Sequence, residues 1–95
     1  MRTIHKWPLT LGVTKIVMPV GANVMTVQAQ QESAQLWADV DPDMPDEVRT
    51  FEIYGTGEQM PADPGEYVAT FQLENSTLVW HVFESTHAEQ TKGLT

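Results

Sequence analysis

Glu66-Tyr67-Val68-Ala69-Thr70-Phe71-Gln72-Leu73-Glu74-Asn75-Ser76-Thr77-Leu78-Val79-Trp80-His81-Val82-Phe83-Glu84 is the stretch on which the reading of this chain turns. β-Branched and aromatic residues crowd its two ends, and the polar, turn-prone centre Glu74-Asn75-Ser76-Thr77 separates them, which is the pattern of a β-hairpin. A two-residue loop at Asn75-Ser76 sets Leu73 opposite Leu78, Phe71 opposite Trp80 and Ala69 opposite Val82, all on one side of the ribbon. That side reads as core. The other side carries Val68, Thr70, Gln72, Val79, His81 and Phe83, too apolar for a solvated face and too polar for an ordinary interior, so something is expected to cover it.

Working outward, the segment before the hairpin also reads as strands and turns. Arg49 to Tyr54 puts Phe51 and Ile53 inward, and Gly55-Thr56-Gly57 closes it. Gln35 to Val40 places Leu36, Ala38 and Val40 on one side and Trp37 on the other, and Val24 to Gln30 alternates Met25, Val27 and Ala29 against Thr26, Gln28 and Gln30. Proline cannot donate to a ladder, so Thr3 to Leu11, which contains Pro8, reads as an edge strand or a strand that ends near Trp7, and Lys15 to Val20, which contains Pro19, as an edge strand or a bulged one. No stretch has the period and length of an ordinary helix. The expected fold is all-β, a small antiparallel sandwich or partly open barrel of about six or seven strands, in one domain over residues 1–84. Residues 85–95 have no periodicity and are expected to form a disordered tail.

The totals narrow the function classes. Thirteen acidic against five basic residues give a net charge of −8, which repels phosphate backbones and argues against direct nucleic-acid binding. With no cysteine, disulfides and thiolate metal sites are excluded. The N-terminus has no apolar core of a signal peptide and no run crosses a bilayer, so a cytoplasmic protein away from membranes is expected. The two-sided apolar runs Ile16-Val17-Met18 and Val79 to Phe83 suggest a homo-oligomer.

Candidate chemistry is sparse. Asp39, Asp41 and Asp43 have the spacing that opens an EF-hand loop, but Met44 stands where that loop needs glycine and Thr50 where it needs a bidentate glutamate, so no metal is expected. With Asp46, Glu47 and two prolines, the segment reads as an exposed acidic loop able to dock a basic partner. Gly55-Thr56-Gly57 resembles a phosphate-cradling turn, yet no helix follows it. His81 faces Thr70 across the hairpin and reads as a hydrogen-bonded interior or interface histidine, because general acid–base work needs a second positioned group. If a ligand binds, Arg49, Tyr54, Thr56, Thr70, Gln72, His81 and Phe83 are the side chains placed to hold it. No cofactor and no catalytic set is expected.

Lys6-Trp7-Pro8-Leu9, Leu36-Trp37-Ala38-Asp39-Val40-Asp41-Pro42, Arg49-Thr50-Phe51-Glu52-Ile53-Tyr54-Gly55-Thr56-Gly57, Tyr67-Val68-Ala69-Thr70-Phe71-Gln72 and His81-Val82-Phe83-Glu84, in that order, resemble a family of small phage and prophage proteins of unknown function. The resemblance implies action in the cytoplasm of an infected bacterium by binding, through counter-defence or host takeover. The expected partner is a host protein, and the alternative is an oligomeric sponge for a nucleotide-like signal.

Overall fold

The computed structural model describes residues 1–73 and 77–85. Seven strands and no helix make up the described residues: β1 (Thr3–Leu9), β2 (Gly12–Pro19), β3 (Asn23–Gln30), β4 (Ser33–Val40), β5 (Asp46–Gly55), β6 (Glu66–Gln72) and β7 (Val79–Glu84). They form two antiparallel sheets that do not close into a barrel, a three-stranded one in the order β1-β4-β3 and a four-stranded one in the order β2-β5-β7-β6. The expected all-β sandwich is therefore the fold. Pro8 and Pro19 both lie on edge strands, where a missing N–H costs no ladder bond.

Alternation explains which sheet faces meet. Leu36, Ala38 and Val40 of β4, Phe51 and Ile53 of β5, Ala69 and Phe71 of β6 and Val82 of β7 point between the sheets with Ile16, Met18 and Val27, giving a continuous apolar interior. Phe51, Met18, Leu36, Val27, Val40 and Val82 are the largest of its fully buried side chains. Burying a side chain of this kind contributes about 1.5–3 kcal/mol. Between β3 and β4 the chain reverses through Gln31 and Glu32, at φ 51° and 65°, the paired left-handed geometry of a two-residue turn that follows the strand twist.

The hairpin register is as the side-chain pattern requires at three pairs: Ala69 faces Val82, Thr70 faces His81 and Phe71 faces Trp80. The Asn75-Ser76 loop itself, and residues 86–95 of the tail expected over 85–95, lie outside the described residues. Ser85 continues the sheet, its N–H donating to Thr50 O at 2.9 Å.

Four expectations need correction. A β-bulge between Tyr67 and Ala69 turns Val68 toward the core and Tyr67 outward, so Tyr67, not Val68, joins the second face of the ribbon. A second bulge between Val24 and Thr26 leaves Met25 53% exposed and packs Val24 against the interior instead. Leu78 is 59% exposed although Leu73 packs on the core, because the ladder ends at the Gln72–Val79 pair and strand parity no longer aims the side chain beyond it. The acidic segment is not one loop: Asp39 belongs to β4, Asp46 and Glu47 to β5, and only residues 41–45 connect them.

Candidate functional site

The outward face of the four-stranded sheet is where chemistry-bearing side chains collect. Tyr54 and His81 pair across β5 and β7, and Thr70 and His81 across β6 and β7, so strand parity puts all three on that face. The connection from β5 to β6 folds back against it. Thr56 N–H donates to Val79 O at 3.0 Å, Glu58 N–H donates to Gly55 O at 3.0 Å, and Glu58 Oε1 accepts from Gly55 N–H at 2.8 Å. This tethered turn brings Met60 beside Phe83, and Pro61 and Pro64 beside Tyr54. Tyr54, though outward, is therefore only 4% exposed. The second face of the hairpin is covered in part by the chain's own loop.

Along this face, from Tyr67 to the turn, runs a continuous line of hydrogen bonds. Tyr67 Oη lies 2.8 Å from Thr70 Oγ1, Thr70 Oγ1 lies 3.1 Å from His81 Nδ1, and His81 Nε2 lies 2.8 Å from Thr56 Oγ1, which donates to Val79 O at 3.1 Å. One assignment orients the whole line. Since the Thr56 proton goes to the carbonyl, a neutral His81 must donate from Nε2 to Thr56 and accept at Nδ1 from Thr70, which in turn accepts from Tyr67. Every hydroxyl proton is spent along the line, so lone pairs of Tyr67 and Thr56 are what it leaves for a visitor. Both ring nitrogens of His81 are likewise bonded, which holds the ring between two threonine hydroxyls.

Around this line lies a cleft of about 320 Å³ walled by Gly55, Thr56, Gly57, Glu58, Met60, Tyr67, His81 and Phe83. Phe83 stands edge-to-face with Tyr54 (centroids 5.9 Å apart, 71° between planes) and with Tyr67 (5.7 Å, 71°), the favoured quadrupole geometry. Of the residues proposed from sequence, the structure thus gathers Thr56, Thr70, His81 and Phe83, with Tyr54 packed beneath Phe83. Gln72 is exposed, paired with Val79 farther along the same ribbon. Arg49 does not join them. It shares the inward parity of Phe51 and Ile53 and forms a bidentate pair with Glu84, Nε to Oε2 at 2.6 Å and Nη2 to Oε1 at 2.9 Å, while Nη1 donates to Ala22 O at 2.5 Å. Tyr67, Glu58 and Met60 escaped the sequence reading, Tyr67 because of the bulge and the other two because loop residues carry no parity.

The five acids of the former loop are dispersed. Arg2 binds Asp39 through two nitrogens, and that hydrogen-bonded partner holds the Asp39 carboxyl below its ordinary range. Asp41 Oδ1 accepts from Asp43 N–H at 3.1 Å, closing the turn. Among the described residues no cluster of histidine and acid side chains is arranged to hold a metal ion.

Tyr54 yields a pH prediction. Burial, then its hydrogen bond to Glu52 and the charges of Glu52 and Glu58, raises its phenol above the ordinary value of 10.0. The folded state keeps that proton where the unfolded chain has released it, so this contribution is intact below pH 10 and fades as pH climbs past it. Denaturant midpoints measured from pH 8 upward are expected to fall more steeply for the parent than for Y54F, and equal slopes would contradict the assignment.

Over residues 1–93 the chain matches the family described as a domain of unknown function, DUF7352, and it belongs to that family. No curated protein and no solved structure matches it. No helix among the described residues is long and apolar enough to cross a membrane.

Proposed function

We propose that this chain is a non-catalytic binding protein that docks a protein partner on the outward face of its four-stranded sheet, at the cleft between Tyr67, Phe83 and the Gly55–Met60 turn. The observation that carries this reading is the hydrogen-bond line through His81. A hydroxyl–histidine pair works as nucleophile and base when a carboxylate behind the ring stabilises the imidazolium that forms, and here the second ring nitrogen meets a threonine hydroxyl instead. Beside that fixed ring, Tyr67 is 60% exposed, an aromatic anchor of the type that dominates binding energy at interfaces. The resemblance to phage proteins supports a setting inside the infected bacterium, with the partner a host protein whose activity is blocked.

Sequestration of a nucleotide-like signal is the weaker reading. Arg49, the cation that sequence offered for a phosphate, is clasped to Glu84 on the inward side of the sheet, and Glu58 lines the cleft in its place.

The test is a capture experiment with parent and Y67A protein immobilised side by side at micromolar concentration in bacterial lysate, followed by calorimetry on the purified hit. Tyr67 is largely exposed, so Y67A is expected to fold and to lose the partner. A partner held equally by both, or none held by the parent, would overturn the proposal. A rise of several degrees in Tm with cyclic or linear nucleotides would transfer the site to the signal-sponge reading.

A further inference from the structure

Resting on the reading of this cleft as a recognition surface, we infer that its occupant is a cationic side chain, an arginine or lysine presented by a basic segment of the protein partner. Three independent features of the cleft select positive charge. The first is the polarity of the hydrogen-bond line. With His81 neutral, its protons run from Tyr67 through Thr70 to His81 Nδ1 and from His81 Nε2 through Thr56 to Val79 O, so the hydroxyl oxygens at its ends then offer lone pairs and no donor. A phosphate or carboxylate entering here meets acceptors; a guanidinium, with five donors and no acceptor, meets partners.

The second feature is Glu58. Its Oε1 takes the Gly55 N–H at 2.8 Å, which fixes the carboxylate in the wall of the cleft. An ionised carboxylate has about four acceptor sites, so one bond to the backbone leaves it able to receive a cation. Among the described residues its walls contain no lysine or arginine to compete for it. The third feature is aromatic. Tyr54, Phe83 and Tyr67 form an edge-to-face row whose outer ring, Tyr67, is 60% exposed, and the face of such a ring attracts an ammonium or guanidinium through its quadrupole.

Size and net charge agree with this. At about 320 Å³ the cleft lies at the small end of ligand sites, suited to one long side chain whose methylenes lie along Met60 and Phe83. The net charge of −8 steers a basic segment toward it.

The inference is tested by amide-resolved NMR titration of the full chain with N-acetylarginine methylamide, the corresponding lysine amide, the neutral citrulline isostere and AMP. The arginine and lysine amides are expected to shift the Thr56, Glu58 and His81 amides saturably at millimolar concentration, and citrulline to bind several-fold more weakly. In E58Q and in Y67L, each with a spectrum otherwise like the parent, the arginine amide is expected to bind about three- to tenfold more weakly. Citrulline binding as well as arginine, or E58Q binding unchanged, would overturn the cation assignment while leaving the cleft as a recognition surface. AMP shifting these resonances where arginine does not would overturn it in favour of a nucleotide. Silence of every cleft amide with all four probes would remove both this inference and the binding surface on which it rests.

Discussion

Gly65→Ala is expected to be the most damaging small substitution in the chain. Gly65 sits at φ +96°, and an ideal Cβ built there would lie 2.1 Å from Glu84 O, 2.9 Å from Glu84 C and 3.1 Å from Ser85 Cα. These are backbone atoms, so no side-chain rotation relieves the overlap. Nor is the opposing backbone free to retreat, since Ser85 N–H donates to Thr50 O and the Glu84 side chain is gripped by Arg49. Left-handed strain costs on the order of 1–3 kcal/mol, and forcing extra volume into a packed contact costs about another 1–3 kcal/mol. The combined expectation is a loss of about 3 kcal/mol or more, and each kcal/mol lowers Tm by roughly 4–8 °C in a domain of this size. Gly57→Ala is the control that separates the two costs. Gly57 has φ +89° with nothing within 4 Å of the would-be Cβ, so it should show the strain alone. If chemical denaturation finds the two variants equally stable, the close approach of the β6 start to the end of β7 is wrong.

That contact also illustrates what a pattern of residues does and does not reveal. The alternation of apolar residues in β4, β5 and the C-terminal hairpin specified their inward faces, because burial on one side of a strand has a strict period of two. At Pro8 and Pro19 the absent donor left an edge as one of two readings, and the edge is the one the sheets adopt. Parity failed at Met25 and at Val68, where one extra residue per bulge reverses the facing of its neighbours and both candidates at each place are apolar enough to serve. The loss of Tyr67 from the expected site follows from that single residue. Arg49 was a different kind of error. Its odd parity with Phe51 and Ile53 already set it on the side opposite Tyr54, so a common site for the two was inconsistent with the strand that carries them both. Glu58 and Met60 were out of reach, since the path of a loop over a sheet is decided by tertiary contacts such as the Gly55–Glu58 bonds.

Arg49→Met is expected to destabilise the fold by about 2–3 kcal/mol, and the double variant Arg49→Met with Glu84→Met by less than the single one. Arg49 is the joint of the open end of the sandwich. It stands on β5, holds both oxygens of Glu84 on β7, and donates at the same time to Ala22 O in the turn by which the chain leaves one sheet for the other. The hydrogen-bonded carboxylate raises the Arg49 guanidinium further above its already high ordinary value, so Arg49 keeps its charge at any accessible alkaline pH. Its side chains are 18% and 16% exposed, which places the pair between the surface case, worth about 0–1 kcal/mol, and the buried case, where removal of one partner costs about 3–5 kcal/mol. The cost of the single substitution comes from what is stranded, a carboxylate in a partly dry cleft also lined by Glu66 and a carbonyl without its donor. Glu66 pairs with Glu84 across the ladder, so an unneutralised Glu84 faces a like charge as well. Replacing both members by methionine removes the stranded charge and the repulsion together, leaving the Ala22 carbonyl as the residual loss. A thermodynamic cycle through R49M, E84M and the double variant should therefore give a coupling energy above about 1 kcal/mol. Strict additivity would mean that Arg49 acts only through Ala22, and that its pairing with Glu84 adds nothing to the fold.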